Sequence, residues 1–133
     1  MSAISSVAQA KAAFPHLKWR DNPSDNGRGT TAFVICDLKK TSGDNTIFLA
    51  MEDGAAAYSH VHLQRVGWPF VESVTCLVGE VHGLKPVVEP DFVLSAGQSL
   101  DLWSGEAHAP YVPEGGFALL IYRQPGGHKR VEI

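Results

Sequence analysis

The sequence predicts an all-β protein: an antiparallel sandwich or barrel of jelly-roll type, carrying one short N-terminal helix. Three observations predict it. Beyond Thr30 the helical spacing of apolar residues disappears, and short runs rich in β-branched and aromatic residues take its place. Gly, Pro, Asn and Asp separate those runs, each suited to turning the chain. The chain has 133 residues, 44% hydrophobic and 19% charged, which suits one domain with a core of its own. Many short strands with a single helix bury their apolar faces by closing two sheets face to face.

The N-terminal segment 2–14 reads as the helix. Ile4, Val7, Ala8, Lys11 and Phe14 follow a helical spacing, Ser2 is the expected N-cap, and Pro15 stops it. It would pack on the barrel or on a partner subunit. His16–Arg20 is a short strand candidate, followed by a loop over 21–29. Further strands are expected at Thr31–Cys36, Thr46–Met51, Tyr58–Leu63, Phe70–Val78, Val87–Leu94, Ser99–Trp103, His108–Val112 and Phe117–Arg123. The expected organisation is one domain, 1–133, with a helical arm over 1–20, a barrel over about 30–124 and a tail over 125–133.

Composition excludes several classes of function. The formal charge is −3 and no basic run is longer than a pair such as Lys129–Arg130, too little to neutralise a phosphate backbone, so nucleic acid is not expected as a partner. No apolar run approaches the roughly 18 residues that cross a bilayer, so no membrane partner is expected. The N-terminus lacks the charged and apolar regions of a secretory signal. Cys36 and Cys76 lie in separate strand candidates and read as buried free thiols, consistent with a cytoplasmic setting. There is no nucleophile elbow, phosphate loop or dinucleotide fingerprint.

The chemistry-bearing residues centre on His60-Val61-His62. Two residues at i and i+2 on a strand share a face. Taken alone, such a pair is also an ordinary polar surface feature. Glu72 opens an apolar strand, where it is either an interior carboxylate or an end residue paired with a base such as Arg65. His108 follows Ser104-Gly105-Glu106-Ala107 as either a ligand or a loop histidine. Imidazoles and a carboxylate brought to one face would make a metal site. Trp68, Phe70, Trp103 and Tyr111 are near these residues in sequence and could line an apolar pocket, or pack the barrel.

In this pattern the sequence resembles the cupin superfamily, and in particular its small single-domain, metal-binding members. The first cupin motif has the form G-x5-H-x-H-x3,4-E-x6-G. Gly54, His60, His62, Glu72 and Gly79 reproduce it, except that nine residues rather than three or four separate His62 from Glu72. The second motif, G-x5-P-x-G-x2-H-x3-N, is matched by Gly97, Gly105 and His108, with Trp103 in place of the proline and Val112 in place of the asparagine. The resemblance spans residues 45–124 and implies a jelly-roll barrel with His60, His62, Glu72 and His108 as ligands of one divalent transition metal: Fe, Mn, Ni or Zn. Gln64, two residues beyond His62, could replace or supplement Glu72. The long insert, with Trp68, would form a loop over the barrel mouth.

The function implied is that of a metal-dependent enzyme acting on a small organic substrate, with dioxygenase-type oxidation favoured. Lyase or isomerase chemistry and non-catalytic sensing of a small molecule or metal are the alternatives. A homodimer is expected, built through the helical arm or the tail.

Overall fold

The computed structural model describes residues 4–22, 33–40, 44–57, 60–63, 70–103, 106–125 and 129–132; the side chains of 40, 44, 60–63, 70, 71, 125 and 129–132 fall outside that description. Along these residues run α1 (Val7–Ala13), β1 (Trp19–Asn22), β2 (Phe33–Lys40), β3 (Asp44–Glu52), β4 (His60–Leu63), β5 (Phe70–His82), β6 (Val93–Ser95), β7 (Ser99–Trp103), β8 (Phe117–Pro125) and β9 (Lys129–Glu132). Every pairing is antiparallel. One sheet runs in the order β1-β2-β3-β8-β5-β6, with β7 also on β5, and a second consists of β4 and β9.

The long strand β5 organises the sheet. Its one edge pairs with β8 and its other edge takes β7 and then β6 in succession. Alternation fills the interior. Val74 and Cys76 of β5, Leu49 and Met51 of β3, Leu120 and Tyr122 of β8 and Leu102 of β7 are all buried in one core cluster. The alternation of inward and outward residues holds along these runs and is broken at bulges between Asp37 and Lys39 on β2 and between Cys76 and Val78 on β5.

The other face of the sheet carries α1. Ala10 is buried against Val34, Ala50, Phe117 and Leu119, with Ile4, Val7 and Phe14 packed around it. Phe14 and Trp19 both meet the Phe48 ring, at centroid distances of 5.3 and 6.2 Å. The helix is shorter than 2–14. Its N-cap is Ser6, whose hydroxyl accepts the Gln9 amide at 3.1 Å, in place of the expected Ser2. Glu52 Oε2 accepts the Val7 amide at 2.9 Å, so a carboxylate from β3 sits at the positive end of the helix and ties it down. The apolar stripe is Ile4, Val7, Ala10 and Phe14; Ala8 and Lys11 are exposed.

Two expected strands are corrected. Val87–Leu94 reduces to Val93–Ser95, with Val87 and Val88 in an exposed turn. Pro86 and Pro90 bracket that turn and have no N–H to give to a ladder. His108–Val112 is extended but contributes isolated bridges, Ala56↔Tyr111 and His82↔Tyr111, in place of a strand. Pro110 interrupts its donors in the same way. The tail pairs within the chain over Lys129–Glu132, on β4.

Both cysteines are free and buried. Desolvation pushes the Cys76 thiol up to about 11 and raises Cys36 as well. A raised thiol value means that the neutral form is favoured by folding. That contribution is fully present below the ordinary thiol range and is lost as pH rises through about 11. At pH 8 a disulfide reagent should therefore label neither thiol in native buffer and both in urea. Stoichiometric labelling of the native protein would contradict the burial of these strands.

Candidate metal centre

The interior row that matters lies at the end of the core where Phe70–Val74 enters the sheet. Glu72 points inward with Val74 and Cys76, because it shares their parity on β5. It stands opposite Leu102 of β7. On β8 the parity of Leu120 and Tyr122 carries on to Gln124, which lies opposite Asn45 of β3. An otherwise apolar interior thus ends in a polar row formed by Asn45, Gln124 and Glu72.

Glu72 and His108 are the two polar residues most deeply buried among those described, at 2% and 1% exposure. Glu72 Oε1 lies 3.2 Å from His108 Nε2. Gln124 Nε2 donates to the other oxygen, Glu72 Oε2, at 2.9 Å. The two carboxylate oxygens therefore have different tasks: one faces an imidazole, the other is held by an amide. The Asn45 Oδ1 atom is buried with no hydrogen-bond partner among the described residues.

The His108 segment is fixed from both sides by backbone bonds. Ala109 N–H donates to Gly83 O at 2.9 Å, and His82 and Tyr111 exchange two bonds at 2.9 and 3.0 Å. On the other side Ala57 N–H donates to Pro110 O at 2.9 Å and Val112 N–H to Ala55 O at 3.0 Å. Gly83, at φ +77°, is required for this approach, since a Cβ there would collide with the Ala109 carbonyl.

His60 and His62 are in β4, which pairs with β9 in the register His60↔Glu132 and His62↔Arg130; their side chains are outside the described residues. Among the described residues no group of three or more His, Cys, Asp and Glu side chains gathers as a metal site. Glu72 and His108 supply two donors of the expected set and fit a divalent transition ion in kind: one carboxylate oxygen and one imidazole nitrogen, buried and adjacent. Gln64 and Trp68 lie outside the described residues, and of Phe70 only the backbone is described. Trp103 alternates with the buried Leu102 and is 49% exposed, on the face turned away from Glu72. Tyr111 likewise alternates with buried Pro110 and Val112, is exposed, and stacks on His82 at 5.3 Å. Neither aromatic packs into the barrel interior. Gln124 was outside the expected site. Its signal was the alternation of Ala118, Leu120 and Tyr122, which runs one step past the expected strand end at Arg123.

The layout of this sheet is shared with known structures. The chain has the cupin fold. It superposes on a polyketide cyclase, RemF from Streptomyces resistomycificus, with a TM-score of 0.70 at 11% identity over 90% of this chain and 81% of that one. A sugar phosphate isomerase of the cupin superfamily from Silicibacter pomeroyi gives 0.68 at 11% identity, covering 90% and 79%. A candidate acetylacetone dioxygenase from Methylibium petroleiphilum gives 0.65 at 12% identity, covering 90% and 78%. No protein-family model and no curated protein sequence matches the chain. Cupins of such different activity share one scaffold, so the likeness establishes the fold, and the chemistry has to be argued from the site.

Proposed function

We propose that this protein is a metal-dependent cupin enzyme acting on a small oxygenated organic substrate, with dioxygen-dependent oxidation as the favoured reaction. The observation that carries the proposal is the Glu72–His108 pair, 3.2 Å apart and buried at the end of an apolar interior. Burying a carboxylate and an imidazole side by side in such a place is expensive unless a role retains them. Glu72 and His108, with His60 and His62 from β4, would hold the ion. A divalent ion there would supply Lewis acidity and, as Fe(II), redox chemistry with O2. The chain's own residues do the rest. Gln124 holds one oxygen of Glu72, the backbone bonds of 109–112 fix His108, and Val74, Met51 and Leu102 keep water from the layer beneath.

A second reading, isomerisation or elimination without O2, is supported by the cyclase and the isomerase among the neighbours. The test has two stages. Protein purified without chelators should carry about one transition-metal ion per chain, and His60→Ala and His108→Ala should each lose it. A chain that takes up no stoichiometric metal on titration would sink the proposal. An oxygen electrode then separates the reactions, because turnover without O2 uptake in every metal form leaves only the second reading. Binding with no turnover of any oxygenated substrate would point to a sensing module.

A further inference from the structure

We propose that Gln124 is a positioning residue of this centre: its side-chain amide fixes the rotation of the Glu72 carboxylate so that Oε1 alone is presented to the ion and to His108. The inference rests on the metal reading above and adds a residue that no cupin motif in the sequence contains.

The argument starts from the two oxygens of Glu72. Oε2 accepts from Gln124 Nε2 at 2.9 Å, within the range of a well-formed bond, while Oε1 lies 3.2 Å from His108 Nε2. A carboxylate without such a tether rotates about its terminal torsion, which has broad wells. Gln124 itself is held by position. It lies on β8, which pairs on one side with Asn45 and β3 and on the other with β5 at Ser73↔Arg123, one residue from Glu72. The donor's chemistry also matters. A lysine or arginine would tether the carboxylate equally well, but its charge would cancel the charge that attracts a cation. A neutral amide orients Glu72 and leaves its negative charge for the ion.

The test is titration of the apoprotein with Co(II), read both by calorimetry and by the visible d–d absorption of the bound ion. Gln124→Leu and Gln124→Met remove the donor while keeping bulk, so one can stand in if the other folds poorly. Both should bind Co(II) about 10–100-fold more weakly than wild type, the usual loss for a partner that orients a ligand, with a changed d–d spectrum. Gln124→Lys restores a donor but should also bind weakly, because it carries a charge. Glu72→Gln serves as the reference for loss of the ligand. Wild-type affinity and spectrum in both the Leu and Met variants, with binding lost in Glu72→Gln, would overturn the role of Gln124 while leaving the metal reading intact. Wild-type protein that binds no Co(II), or Glu72→Gln that binds it unchanged, would overturn the metal reading and this inference with it.

Discussion

Gly79→Ala should be among the most damaging single-methyl changes in this protein, lowering stability by about 3–5 kcal/mol, the range of severe backbone and packing lesions. Gly79 is solvent-exposed, so exposure alone would suggest room for a side chain. The backbone says otherwise. Gly79 sits at φ +75°, where a Cβ is strained, and a Cβ built there would run into the Phe117 carbonyl and crowd Ala118. That contact is with the partner strand: β5 and β8 are in register at Gly79↔Ala118, just past a bulge at Cys76/Val78. Relief would mean pushing β5 and β8 apart. Gly97→Ala is the control. Gly97 is at φ +88° with nothing near the added carbon, so it should pay only the strain, about 1–2 kcal/mol. Urea unfolding of the two variants separates strain from collision. Equal losses would show that the close approach to β8 does not govern this site.

Gly79 also illustrates what could be read before the fold was known. Its place in a spaced motif was visible, whereas its reason was not, because the reason is a carbonyl 38 positions away in the chain. Strand parity was legible: Val74, Cys76, Leu120 and Tyr122 announce their side by alternation. Legible for the same reason was Glu72, once its strand was placed. Breaks made by proline were under-read at 86, 90 and 110, since apolar residues around them outweighed the missing N–H groups. Nearness in sequence to Glu72 and His108 does not tell which way Trp103 faces, since on a strand the immediate neighbour of an inward residue such as Leu102 points outward. Gln124 was passed over because a glutamine at a strand end carries no motif. Its role exists only through a bond across to Glu72.

The buried pair gives the second large effect. Glu72→Leu removes the acceptor of Gln124 Nε2 and the carboxylate beside His108 Nε2 in one step, at about 3 kcal/mol for breaking a buried polar pair from one side. His108→Leu should cost a similar amount. The double variant should cost clearly less than the sum, by about 1–3 kcal/mol, because two leucines in contact leave neither half of the pair behind. Additive losses would mean that the two side chains do not depend on each other. Metal then distinguishes the reason the pair is kept. Adding Mn(II) at about 100 times its dissociation constant should raise wild-type stability by about 2.7 kcal/mol through mass action. Neither single variant nor the double should gain from it. If the double-leucine protein equals or exceeds the wild type without metal, and only the wild type gains with metal, the pair is retained for the ion and not for the fold. Equal gains in all four proteins would place the Mn(II) site elsewhere and remove Glu72 and His108 from it.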